Sequence, residues 1–193
     1  EISAKGAIVQ SEADRLDLLV ADLLDLARLD AVDFPVTSVR VDFAQIAQDA
    51  ANVWRDSSRQ AGVDFHLLLS AASLPGRSDP MRVRQIIDNL CANALRVTPA
   101  PGVVVLEVAA YDATWMKIEV RDSGPGLTED DCRVAFEPAE LYSRYRGIRR
   151  VGTGVGLALV GRLANRLGGN AHAGSAPEGG ARFTIFVARN LQG

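Results

Sequence analysis

Three short stretches of this 193-residue chain bring polar side chains and glycines together in patterns that could do chemistry. In NLCANALRVTP, Asn89 and Asn93 stand four residues apart, which on a helix stacks the two amides about one turn above each other on one face. Asparagine is a mediocre helix former and costs free energy when buried unpaired, while Ile86, Leu90 and Ala94 around the pair are apolar and point inward. The helix alone leaves two readings open: a solvated face, or amides held for a ligand. In VRDSGPGLTEDD, an alternating apolar segment runs into Asp122, Gly124, Pro125 and Gly126, which is either an ordinary turn after a strand or a carboxylate held to meet a ligand. In VGTGVGLAL, Gly152, Gly154 and Gly156 fit neither a P-loop, since no Lys follows them, nor a dinucleotide fingerprint, whose spacing and ribose-binding acid are absent. A helix beginning there would still aim unpaired backbone N–H groups and a positive dipole end at whatever precedes it, which favours a phosphate. A plain tight turn is the competing explanation.

The elements around these stretches must position them. Residues 4 to 31 lack proline, and Leu16, Leu19, Leu23 and Leu26 recur at steps of three and four, with Val9 a heptad before Leu16. That pattern predicts a long amphipathic helix of on the order of 40 Å, whose stripe, widened by Leu18 and Leu24, calls for a partner from outside the chain. Pro35 cannot continue a helix, so a domain boundary is expected here, with 1–33 on one side and 34–193 on the other. Asp42 is placed to cap a helix that Gly62 closes, and the strand VDFHLLLS follows. Asp79 and Pro80 open a second helix, which buries Val83, Ile86, Ile87, Leu90 and Ala94. VVVLEVAAYD and WMKIEVRDS predict an antiparallel hairpin turning at residues 112–114. Further helices are expected from Thr128 and over residues 156–167, and NAHAGSA and ARFTIFVAR supply the last two strands. About five strands and three or four helices make this an α+β layer arrangement.

Composition narrows the class. A net charge of −3 argues against nucleic-acid binding, although Arg144, Arg146, Arg149 and Arg150 form a local basic cluster. Cys91 and Cys132 are too far apart in sequence for a paired-cysteine zinc motif, which points to buried thiols and a reducing cytosol. No apolar run is long enough to span a bilayer, and the first residues lack the order of a signal peptide. The expectation is a soluble globular protein.

Taken in order, NLCANALRVTP, DSGPGL, FEPAE, GTGVGLALV and GGARFTI resemble the asparagine box, first glycine box, phenylalanine box, second glycine box and closing strand of sensor histidine kinases. The resemblance is close over residues 79–189, and RLDLLVADLLDLARLDA looks like the second helix of that family's dimerisation and phosphotransfer hairpin. The implied fold is the Bergerat-type two-layer α/β sandwich shared with gyrase B and MutL ATPases. The implied ligands are ATP and Mg²⁺. By resemblance, Asp122 accepts the adenine amine while Gly124 and Gly126 let the backbone approach the base, with Leu127 beside them. Asn93 would coordinate Mg²⁺, and Asn89 and Arg96 would address the phosphates. The loop Gly152, Thr153, Gly154, Val155, Gly156 and Leu157 would hinge a lid and face the triphosphate. Arg144, Arg146, Arg149 and Arg150 are the lid candidates for the γ-phosphate.

Gyrase-type relatives place a glutamate where this chain has Asn89, and Asp88 is rotated about 100° away on the helix. The domain therefore resembles one that holds ATP for transfer rather than for hydrolysis. The family's phosphoacceptor motif is missing. His66 lies in an alternating strand and His172 in NAHAGSA, where both are expected to be structural or surface residues. The expectation is a piece of a longer kinase that lacks its acceptor helix. The intact protein would be a homodimer through its hairpins and would relay phosphate to a response regulator. This portion would be cytoplasmic, with the full protein attached to the inner membrane by upstream spans. Departures from the family pattern are Val97, where an aromatic or histidine is common, and Ala181, where Ser or Thr is common. Two alternatives are a serine/threonine kinase of the anti-sigma-factor type and a non-catalytic nucleotide-sensing scaffold.

Overall fold

The structure, a computed structural model, describes residues 20, 35–148 and 152–192. The helix expected over residues 4–31 lies, but for Val20, outside the described residues, as does the expected boundary at 33/34. Seven strands are described: β1 Val39–Asp42, β2 Val63–Leu69, β3 Pro75–Ser78, β4 Gly102–Ala110, β5 Trp115–Asp122, β6 Asn170–Ser175 and β7 Ala181–Ala188. The helices are α1 Phe43–Gln60, α2 Pro80–Val97, α3 Glu129–Val134, α4 Glu140–Tyr145 and α5 Gly156–Arg166.

Five strands form one mixed sheet in the order β2-β4-β5-β7-β6. β2 and β4 run parallel, joined through α2, and the other pairs are antiparallel. Side chains alternate across the sheet. Leu106, Ile118, Phe183 and Ile185 turn to one face and pack with Ile86, Ile87 and Leu90 of α2 and Leu159 and Leu163 of α5 into a single core. The opposite face is charged. There Arg121 Nη1 lies 2.7 Å from both Glu107 and Glu119, its Nε reaches Glu178 at 3.1 Å, and Lys117 meets Glu107 at 2.6 Å. One apolar and one ion-paired face make the expected two-layer α/β sandwich.

Helix starts follow the sequence signals. Asp42 Oδ1 accepts from Ala44 N at 2.9 Å and from Leu74 N at 2.8 Å, so one carboxylate caps α1 and ties down the loop before β3. Asp79 Oδ1 accepts from Met81 N at 3.0 Å and Arg82 N at 3.1 Å, and Pro80 follows at the first helical position. Each cap contributes about 1 kcal/mol. Asp79 Oδ2 also accepts from Thr37 N at 2.9 Å, which fixes the chain entering β1 to the start of α2.

The structure corrects the expected inventory at two places. β1 and β3 add a separate two-stranded antiparallel sheet, four residues on each side. Their pairing is set by distant neighbours, since Arg77 N donates to Arg189 O at 2.8 Å and Leu191 N to Arg77 O at 2.8 Å. The described helices also number five rather than three or four, because α4 adds a six-residue turn of helix after the phenylalanine segment.

Candidate functional site

A cavity of about 110 Å³ lies between α2, the end of β5, the start of α5 and the α3–α4 segment. At one end stands Asp122, the last residue of β5 and 0% exposed. Its Oδ1 accepts from Gly124 N at 2.8 Å and from Ala181 N at 3.2 Å. Its backbone carbonyl accepts from Gly180 N at 3.0 Å. The antiparallel register of β5 with β7, which pairs Arg121 with Arg182, carries Ala181 to this position from 59 residues away. Glycine is required twice here. A Cβ on Gly124 would come within 2.9 Å of Asp122 Oδ1, and one on Gly180 would overlap the same atom. The hydroxyl missing at Ala181 is not needed for this contact, because its backbone N–H makes the bond.

The middle of the cavity is walled by α2. Asn89 Nδ2 donates to Gln85 O at 3.0 Å, which turns Oδ1 toward the start of α5, where a Cβ on Gly156 would lie only 2.7 Å from it. The Arg96 guanidinium rests against Gly152, where a Cβ would overlap its Nη1. Both glycines thus make room for side chains of α2. Asn93 lines the cavity, and no hydrogen bond among the described residues engages its amide. α5 begins without a side-chain cap, so its first-turn N–H groups, which have no intrahelical acceptor, face this space. Asp88 points elsewhere: it accepts from Trp54 Nε1 at 2.8 Å and from Arg84 Nε at 2.8 Å, so it is not a base for a water in the cavity.

The far end is closed by α3 and α4. Thr128 and Asp131 form a capping box at the start of α3. Asp131 is 2% exposed and also takes hydrogen bonds from two residues of α4, from Tyr145 Oη and from Arg144 Nη1 at 3.1 Å. Burial opposes its charge, but the donations from Tyr145, Thr128 and Arg144 outweigh that and hold its pKa down at about 2. Burial, with Asp131 and Glu129 nearby, raises the neighbouring Cys132 thiol. α4 is turned back across the cavity by Ala139, whose φ of 61° is left-handed and whose N–H donates to Gly154 O at 2.9 Å. Leu141, Tyr142 and Tyr145 thereby line the cavity.

Of the residues expected from sequence, Asn89, Asn93, Arg96, Asp122, Gly126, Leu127, Gly152, Thr153, Gly154, Gly156 and Leu157 line this one space. Gly124 and Val155 do not. Gly124 serves by fitting beside the Asp122 carboxylate, and Val155 is buried at the start of α5. Among the arginines, Arg144 is paired with Asp131, and Arg146 ends α4 with its N–H on Tyr142 O at 2.9 Å. Arg149 and Arg150 lie outside the described residues. His66 and His172 are on exposed strand positions away from the cavity, and His172 packs edge-on against Phe186. Sequence reasoning missed Tyr142 and Tyr145, and it placed Ala181 and Phe183 in the closing strand without giving either a place in the site. The tyrosine pair, three residues apart, was the available signal, whereas β7 becomes a wall only through strand pairing.

Residues 78–191 match the family described as histidine kinase-, DNA gyrase B- and HSP90-like ATPases. Among curated relatives, the sensor histidine kinase ZraS of Klebsiella oxytoca is 29% identical over 185 residues, covering 96% of this chain and 38% of ZraS. Among solved structures, full-length ShkA in complex with AMPPNP superposes with a TM-score of 0.82 at 28% identity, over 98% of this chain and 40% of that one. The histidine kinase ThkA, solved with the response regulator TrrA, shares the fold at a TM-score of 0.75 and 18% identity, over 94% of this chain and 49% of that one. The chain thus spans well under half the length of ZraS and of ShkA. The mixed sheet, the glycine loops seated against α2 and the family match agree, and the chain belongs to the histidine kinase-, DNA gyrase B- and HSP90-like ATPases, as an ATP-binding catalytic domain of the sensor histidine kinase kind.

Proposed function

We propose that the cavity holds ATP with its adenine at Asp122 and its phosphates between α2 and the start of α5, for transfer of the γ-phosphoryl group to a histidine outside this chain. The observation that carries this reading is the convergence of Asp122, Asn89, Asn93, Arg96 and the glycine loop on one space. The Asp122 carboxylate can accept a hydrogen bond from an amine N–H, and Gly124 and Gly126 allow a flat base to come close. The AMPPNP bound to ShkA is consistent with it.

The donor set suits a magnesium nucleotide. An amide oxygen is a fitting ligand for a hard cation, and Asn93 offers one that no described residue engages. Mg²⁺ held there with the phosphate oxygens would neutralise charge on the transferred group. The remaining work falls to the chain's own groups. Asn89 and Arg96 orient the phosphate tail, and the first-turn N–H groups of α5 stabilise its negative charge. In the transfer, an imidazole nitrogen of the acceptor forms a bond to the γ-phosphorus as the bond to the β–γ bridging oxygen breaks, and ADP leaves. Positioning and charge stabilisation are the protein's contribution. The phosphohistidine would then donate to an aspartate of a response regulator, the kind of partner with which ThkA was solved. In the longer protein, homodimerisation through hairpin helices, a cytoplasmic position and attachment to the inner membrane complete the proposal.

Calorimetric titration with Mg²⁺ and a nonhydrolysable ATP analogue tests the binding step. Saturable binding that weakens in Asp122→Asn and in Asn93→Ala is expected, and its absence in a folded sample overturns the reading. Supplying a separate phosphotransfer hairpin with ATP should then yield acid-labile phosphate on that hairpin.

A further inference from the structure

Asp131 lies where α3 meets α4. It belongs to the capping box of α3, accepting from Thr128 N at 3.1 Å, and it takes two donors from α4. α4 has no fully buried residue: Leu141 near its start packs half-buried against the core, and at its far end side-chain bonds from Arg144 and Tyr145 to Asp131 hold it. Its near end is held at Ala139 by the bond to Gly154 O. The helix is held at its start by the glycine loop and Leu141 and at its far end by one carboxylate.

We propose that Asp131 is the resting anchor of this lid and a positioning residue for the nucleotide. Its carboxylate holds Arg144 and Tyr145 in the arrangement seen, and it gives up Arg144 to the terminal phosphate of a nucleoside triphosphate. This deepens, and rests on, the nucleotide reading above. Three observations support it. Arg144 is 38% exposed while Asp131 is buried, so the guanidinium can swing away while the acid stays. Carboxylate and phosphate offer the same guanidinium a similar charge-assisted bond, so the exchange carries little net cost. Tyr145 both lines the cavity and donates to Asp131, so a ligand that displaces its ring also loosens the anchor.

Two measurements on the whole chain decide it. The first is hydrogen exchange without nucleotide at Ser143 N and Arg146 N, the amides that bond to Ala139 O and Tyr142 O. Tyr145→Phe, which leaves the α3 cap intact, and Asp131→Asn should each speed this exchange about tenfold, the loss of one bond to a charged group. The second is the ratio of affinities for a nonhydrolysable ATP analogue and for ADP. Asp131→Asn should raise that ratio roughly fivefold by leaving Arg144 only the looser pairing with Glu140 on its own helix, 3.9 Å away, and Arg144→Gln should abolish the triphosphate preference. Unchanged exchange, or equal shifts for both nucleotides in Asp131→Asn, overturns the proposal. If the wild-type chain binds neither nucleotide, the functional reading fails, and the exchange measurement still decides whether Asp131 anchors α4.

Discussion

Asp122 and Asp131 are both buried carboxylates beside one cavity, yet they are held in opposite ways. Asp122 is gripped by two backbone N–H groups: that of Gly124, in the turn directly after β5, and that of Ala181, which arrives with the β5–β7 pairing and cannot leave without breaking the sheet. Asp131 takes a backbone bond from Thr128 N within its own capping box, but what ties it to α4 is the side chains of Arg144 and Tyr145, on a six-residue helix with no fully buried residue. Backbone partners are pre-organised by the fold, and side-chain partners can be exchanged. In the proposed nucleotide pose, the sheet end would recognise the ligand's rigid part and the α4 end would respond to its charged tail.

The sharpest way to break this contrast is at the sheet end. Asp122→Ala removes the acceptor and strands two buried N–H groups, so nucleotide affinity should fall at least about 100-fold by calorimetry, with some loss of stability. Next comes Gly156→Ala, whose new Cβ would crowd Asn89 Oδ1 from 2.7 Å. It should weaken triphosphate binding about tenfold while circular dichroism shows α5 intact.

The lid end should respond to acid. Because the folded pKa of Asp131 is depressed to about 2 from 3.8, its stabilisation is present in full above about pH 4 and is lost as pH falls toward 2. Protection of the α4 amides, taken relative to their intrinsic exchange rate at each pH, should fall in that window. Since the shift is worth about 2 kcal/mol, a flat profile would separate Asp131 from the lid's stability. The smallest effect is expected at Ala139. Replacing it with Gly removes a left-handed penalty of about 1–2 kcal/mol but adds chain entropy to the unfolded state, for a net gain of roughly 0.5 kcal/mol in thermal unfolding.

The same contrast explains what could be foreseen. α1, α2 and the β4–β5 hairpin were legible because each carries local signals: the caps Asp42 and Asp79, Pro80, a 3.6-residue apolar rhythm, and the Asp112 turn, whose Oδ1 accepts from Thr114 N at 2.7 Å. The glycine boxes and asparagines were legible through resemblance, and most of them share the cavity. β1 and β3 were not, because PGRS has no strand propensity, and its pairing with β1 and its bonds to Arg189 and Leu191 all come from residues distant in the chain. α4 was not, because its N-cap position is a left-handed Ala with no capping side chain. Ala181 was seen as a departure from a family pattern, when its backbone was the part that mattered.

α2 interleaves two duties along one cylinder: Ile86, Ile87, Leu90 and Ala94 are sealed in the core, and Asn89, Asn93 and Arg96 sit between them facing the cavity. No motion of this helix can alter one face and spare the other. Occupancy of the cavity is consequently transmitted to the melting of the entire sandwich. A nucleotide present at a hundred times its dissociation constant should raise the unfolding free energy by about 2.7 kcal/mol, and a simple heat-denaturation curve becomes an assay for the ligand.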